Sequence, residues 1–175
     1  RILIKVGIAA IILSIASYVI IQVPSVQDRI MVSVVSGMAN TFGKLNKEDA
    51  LSVAVCGSRS PIPSPSRAET CMLVQAGEEM FVVDIGDGSN ANLQNWGIDY
   101  SKINAVLLTH LHSDHIADLP NLHQGAWILQ SRKDKLKVYG PKGVAIVTQG
   151  IEMAYGLDYQ FRNEHHGDAI APREY

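Results

Sequence analysis

Three of the six histidines in this chain fall within six positions, in the run Thr109-His110-Leu111-His112-Ser113-Asp114-His115. Imidazole nitrogen and carboxylate oxygen both suit Zn²⁺, at about 2.0–2.2 Å. The same donors accept Fe or Mn, so ligand type does not fix the metal. In extended backbone, residues two apart point to one side, so His110 and His112 can present both imidazoles to one cation. The next stretch, Ile116-Ala117-Asp118-Leu119, reads as the opening of a helix, and a chain turning there aims Asp114 and His115 differently. The spacing therefore predicts two adjacent metals, with His110 and His112 on the first and Asp114 and His115 on the second. The plain alternative, an incidental polar loop, fits poorly with so many donors at a strand end.

Two zinc ions about 3.5–4 Å apart would clamp a substrate's oxygens and lower the pKa of a water to about 7, giving a nucleophile at neutral pH. The chemistry this predicts is hydrolysis of an ester-type bond: phosphodiester, sulfate ester, lactone or thioester. Asp114 is then also the catalytic residue that orients or deprotonates the attacking water. Asp84, at the end of the apolar run Phe81-Val82-Val83, is expected to accept hydrogen bonds from the metal loop; an ordinary turn aspartate is the alternative. Arg59 and Arg67 could meet an anionic group, although the ordinary reading of each is a solvated side chain. His165 and His166 are either a further ligand source or surface residues.

These residues need elements to hold them. Leu51–Val55, Met72–Ala76, Met80–Asp84, Ala105–Leu108 and Leu136–Tyr139 read as strands, and so does Asp158–Arg162. Met72–Ala76 and Met80–Asp84 form a hairpin across Gly77-Glu78-Glu79. Helices are expected near Asn90–Trp96, from about Ile116 towards Gln130, and over Val144–Tyr155. Pro61, Pro63 and Pro65 exclude a helix interior or a central strand from the loop between Gly57 and Arg67. Strands alternating with helices place the chain in the α/β class. Cys56 and Cys71 bracket the proline loop, where a disulfide and two buried thiols are both open readings.

His110-x-His112-x-Asp114-His115 resembles the metal motif of the metallo-β-lactamase-fold hydrolases. Phe81-Val82-Val83-Asp84-Ile85-Gly86-Asp87-Gly88 is similar to that family's strand ending in Asp-x-Gly. Cys56-Gly57-Ser58-Arg59-Ser60-Pro61-Ile62-Pro63, Arg67-Ala68-Glu69-Thr70-Cys71, Val138-Tyr139-Gly140-Pro141-Lys142-Gly143-Val144 and His165-His166-Gly167 resemble its ribonuclease Z-like and arylsulfatase-like branch. Ser58 and Glu69-Thr70 depart from the branch's usual Thr and Gly-Pro. The resemblance runs from about Leu51 to the last residue. It implies the N-terminal half of an αββα sandwich over 50–175 and a binuclear zinc hydrolase. It also implies further ligands (a His, a bridging Asp and another His) that this stretch does not supply. The chain thus reads as part of a longer protein, inactive by itself; a non-catalytic, membrane-tethered metal-binding module and a ribonuclease Z-like nuclease are the alternatives.

Charge is nearly balanced, 15 basic against 17 acidic residues among 175, so no broad electropositive surface is announced. Val6 to Val23 is an uncharged run of 18 residues, about 27 Å as a helix against a hydrocarbon core of about 30 Å. Arg1 and Lys5 precede it. One transmembrane anchor over 1–23 is expected, with a juxtamembrane helix and linker over 24–49 and the domain on the non-cytoplasmic side. A signal peptide cleaved near Ser14-Ile15-Ala16 and a buried core helix are the alternatives. On that placement the membrane is a partner, nucleic acid is argued against, and a small ester-type molecule is the expected substrate. Oligomeric state is not legible.

Overall fold

The structure, a computed structural model, describes residues 2–23, 25–27, 29–30, 33, 50–130, 132, 134–168 and 171. The chain divides into two compact units at Gly37 and Met38. In the first, α1 (Ile2–Ile21) is a helix of 20 residues. Its described side chains include Ile11, Ile12, Leu13, Ile15, Tyr18, Val19 and Ile20, all exposed. Among the described residues, however, no helix is long and apolar enough to cross a membrane. Most of the expected juxtamembrane helix and linker lies outside the described residues.

The second unit is built on a five-stranded mixed sheet in the order β1 (Leu51–Gly57), β2 (Cys71–Ala76), β3 (Glu79–Val83), β4 (Ile103–Leu107), β5 (Lys137–Tyr139). The first three strands are antiparallel, whereas β4 and β5 run parallel to β3. The hairpin forms where Gly77 supplies a left-handed φ of 59°, a conformation costly for a residue with a Cβ. The parallel pairs require crossovers. α2 (Ser89–Asn95) and a short 3₁₀ turn, Tyr100–Lys102, lie between β3 and β4.

The crossover from β4 to β5 departs from the single helix expected from Ile116 towards Gln130. It is broken into α3 (Ser113–Ile116), α4 (Leu119–Gln124) and a π turn, Gly125–Leu129. Pro120 has no N–H to give the preceding turn, and the Asp118 N–H instead donates to the carbonyl of Ile85 at 3.0 Å. The final helix, α5 (Val144–His166), is unbroken, so the strand predicted over Asp158–Arg162 is absent. The alternation of Tyr159 and Phe161 with polar neighbours imitates a strand. Two other facts decide the outcome: Val144, Val147 and Ile151 pack at helical spacing against the core, and the Arg162 guanidinium bonds Asp158 one turn back at 2.8 Å.

One face of the sheet is covered. Leu73, Met80, Val82 and Val106 are buried there with Ile85, Leu93, Leu119 and Leu122, each worth about 1.5–3 kcal/mol when fully removed from water. Val55, Met72, Val83, Leu107 and Tyr139 are register partners in a row across all five strands, and all are exposed or half-buried. An apolar sheet face of this kind is what a second sheet covers in a sandwich. The mixed α/β arrangement is thus consistent with one half of a metallo-β-lactamase fold.

Candidate metal centre

The parallel pairing of β3 and β4 aligns Val83 with Leu107, so the residues that follow each strand emerge side by side. Asp84 follows β3, and Leu108 and Thr109 follow β4. The carboxyl ends of parallel strands are where α/β sheets place their sites.

Asp84 is 2% exposed and has a left-handed φ of 57°, which aspartate tolerates far better than a bulky residue does. Its Oδ1 accepts the Thr109 backbone N–H at 2.8 Å and its Oδ2 accepts the Thr109 hydroxyl at 2.7 Å. The same Oδ2 lies 2.8 Å from Nδ1 of His115. Asp84 therefore grips both ends of the histidine run. The following loop is stitched to the same place, because the Ile85 N–H donates to the carbonyl of His115 at 2.8 Å.

The donors converge. One ligand atom from each of His110, His112 and Asp114 lies within 4.8 Å of the others. Asp114 is buried, His110 half-buried and His112 exposed, an order that leads from the interior to solvent. The sequence divides these donors two and two, whereas here Asp114 joins His110 and His112. It also reaches His115, with Oδ2 3.5 Å from Nε2, and the His110 and His115 rings lie 3.8 Å apart between centroids. With Nδ1 of His115 engaged by Asp84, its Nε2 is the nitrogen turned towards Asp114. Two imidazoles and a carboxylate within a few ångströms fit a cation of the zinc class.

Backbone packing sets the position of Asp114. A Cβ on Gly86 would overlap the Asp114 carbonyl oxygen and the Glu69 side chain, and one on Gly57 would overlap the Glu69 carbonyl oxygen. Glycine alone permits both approaches.

The proline loop resolves two open questions. Cys56 and Cys71 form a disulfide, with Cα atoms 5.0 Å apart. Arg59 is neither solvated nor free to meet an anion: it pairs with Glu69 at 3.2 Å and Asp87 at 3.1 Å, with its side chain 12% exposed. Arg67 is exposed. His165 and His166 sit in the last turn of α5, outside the group of converging donors. Sequence reasoning assigned no role to Thr109 or Glu69. Thr109 was marked only by opening the histidine run. Glu69, a buried carboxylate, fastens Arg59 and the Asp87 N–H, and only its replacement of a usual glycine singled it out.

This chain belongs to the metallo-beta-lactamase superfamily, whose family model matches residues 66–171. It is 40% identical over 124 residues to the ribonuclease Z of Mycobacterium marinum, covering 70% of this chain and 44% of that protein. It is 39% identical over 124 residues to the ribonuclease Z of Mycolicibacterium gilvum, covering 70% and 43%. The chain therefore spans less than half the length of these curated relatives. Among solved structures it resembles human tRNase Z, short form, at 26% identity and a TM-score of 0.54, over 61% of this chain and 40% of that one. It also resembles the metallo-beta-lactamase fold protein YhfI of Bacillus subtilis, at 29% identity and a TM-score of 0.51, over 59% and 41%.

These relatives overturn the argument against nucleic acid, because those with named activities are ribonucleases and a tRNase. The small ester-type molecule expected in its place loses its basis. The physical reason is that net charge is a sum over the chain, whereas a cleft attracts a polyanion through its local field.

Proposed function

We propose that the full-length protein is a metal-dependent phosphodiesterase that cleaves RNA in the manner of its ribonuclease Z relatives. The observation that carries this reading is the convergence of His110, His112 and Asp114 within 4.8 Å, in a chain 40% identical to ribonuclease Z over 124 residues.

His110, His112 and Asp114 would hold one metal, and His115 with Asp114 a second, with zinc the ion proposed because imidazole and carboxylate both suit it. Bound there, zinc supplies a Lewis acid and a more acidic water. The protein's own residues do the rest. Asp84 fixes the ring of His115 through Nδ1 and leaves Nε2 facing Asp114. Thr109, bonded to Asp84 through both its N–H and its hydroxyl, sets where His110 begins. The Asp114 carboxylate, turned towards the donors, orients the attacking water and takes its proton at Oδ.

The test uses the full-length protein with a tRNA precursor and a DNA strand of the same sequence. Cleavage of the RNA, with metal content and cleavage both lost in the His110→Ala, His112→Ala double variant, supports the proposal. Metal retained in that variant, or no RNA cleavage by a metal-loaded protein, refutes it. Location is a separate proposal, supported by Arg1 and Lys5 ahead of the uncharged run Val6 to Val23: the protein is membrane-tethered with its domain on the non-cytoplasmic side. Fractionation of cells followed by protease protection tests it, and recovery in the soluble cytoplasm sinks it. A domain so placed meets RNA outside the cytoplasm, so the two proposals stand or fall separately.

A further inference from the structure

Two of the candidate donors are organised by one carboxylate oxygen and one hydroxyl. The Thr109 hydroxyl donates to Oδ2 of Asp84 at 2.7 Å, and the same Oδ2 lies 2.8 Å from Nδ1 of His115. The Thr109 oxygen lies in turn 3.1 Å from Nδ1 of His110. The contacts form a chain from His110 through Thr109 to Asp84, with His115 joined at its end.

Proton counting gives this chain a direction. A threonine hydroxyl has one proton and two lone pairs, and an ionised carboxylate only accepts. The separation of 2.7 Å is that of a hydroxyl donating to a carboxylate, so the Thr109 proton is spent on Asp84. Only lone pairs then remain for His110, and the contact at 3.1 Å requires a proton on its Nδ1. The reverse assignment turns the hydroxyl proton towards a bare His110 nitrogen. It would leave two oxygens 2.7 Å apart with no proton between them. His115 does not supply the missing donor, because its Nδ1 lies 3.4 Å from the Thr109 oxygen and nearer to Asp84. Asp84 is 2% exposed, which keeps water from standing in for the threonine. The Thr109 backbone is held as well, by its N–H on Oδ1 of Asp84 at 2.8 Å.

We infer that Thr109 is a positioning residue that fixes the tautomer of His110, holding its proton on Nδ1 and leaving Nε2 for the metal. Metal-binding histidines as a rule donate their second ring N–H to a carboxylate or carbonyl. His115 does so directly and His110 does so through a hydroxyl, so one oxygen of Asp84 governs both rings. The inference rests on His110 being a metal ligand; it concerns which nitrogen that ligand presents.

The test uses the zinc-loaded full-length protein with isotope-labelled histidine rings, beside Thr109→Ser and Thr109→Val. Serine keeps the hydroxyl, whereas valine keeps the branched shape without it. Proton–nitrogen correlation NMR reports which ring nitrogen carries the proton, and competition with a chelator gives the zinc affinity. In the unaltered protein and in Thr109→Ser, His110 is expected to be protonated at Nδ1 and bound through Nε2. Thr109→Val should lose that pattern at His110 while His115 keeps its own, and should bind zinc about 10–100-fold more weakly. Restoration by serine separates the lost hydroxyl from lost packing. If Thr109→Val does not fold, the position of the His110 proton in the unaltered protein decides the matter. Zinc bound to His110 through Nδ1 overturns the inference and leaves the metal centre standing. So does a valine variant with unchanged pattern and affinity, or a loss that serine shares. A full-length protein that binds no zinc overturns the metal-centre reading, and this inference with it.

Discussion

Oδ2 of Asp84 lies 2.8 Å from Nδ1 of His115, across 31 residues of sequence. The contact joins the end of one parallel strand to the helix that follows the next. It fixes which face of the imidazole remains for other work, and the same carboxylate holds Thr109 at the opposite end of the run.

Asp84→Asn should therefore weaken metal binding to the full-length protein by roughly 10–100-fold, the usual cost of losing a group that orients a ligand. Asparagine tolerates the left-handed backbone at this position, so the fold should survive. Competition against a chromophoric chelator measures the loss. An affinity unchanged in Asp84→Asn would remove Asp84 from any part in the site.

Gly86→Ala places a methyl group where the Asp114 carbonyl oxygen and the Glu69 side chain already are. We expect a stability loss of about 1–3 kcal/mol, as for other overpacked sites, together with weaker metal binding because Asp114 must shift. Ala76→Gly, on a strand far from this contact in the register, serves as the control. Denaturant unfolding and the chelator assay together separate the two effects.

The Cys56–Cys71 bond closes a loop with a sequence separation of 15, which corresponds to about 3 kcal/mol of stability in the chain-entropy account. The Cys56→Ala, Cys71→Ala double variant should unfold at correspondingly lower denaturant, and adding reductant should shift the unaltered protein but not the variant. An equal response of both proteins to reductant would count against a role for this bond.

Burial holds His123 below its ordinary value of 6.5. A histidine depressed in the folded state makes the unfolded chain bind more protons, so stability rises with pH through that window. The contribution is full above about pH 6.5 and is lost as pH falls from there to the lowered folded value. His123→Asn should lose less Tm than the unaltered protein between about pH 7.5 and about pH 5.5. Parallel pH dependence in the two would show that other groups govern this range.

Much of this was legible in local pattern. The histidine run, its position after an apolar strand and the acceptor aspartate at 84 all follow from residue type and spacing, because neighbouring parallel strands must deliver their carboxyl ends together. Three things were not. How Asp114 is shared depends on a turn whose direction no spacing records. The helix through Asp158–Arg162 is set by contacts of Val144, Val147 and Ile151 with the core, whereas the local alternation there imitates a strand. The burial of Arg59 depends on Glu69 and Asp87, which lie 10 and 28 positions away. Charge counting failed for a related reason, since a total over 175 residues says nothing of one cleft.

The two glycine approaches have a mechanical consequence. From Gly57 through Glu69 and Gly86 to Asp114, the contacts are made largely by main-chain atoms. The stack begins beside the disulfide and ends at a candidate metal donor, and no long, rotatable side chain lies in series with it to absorb movement. Close packing of this kind leaves the Asp114 backbone little room to shift independently of Glu69 and Gly86.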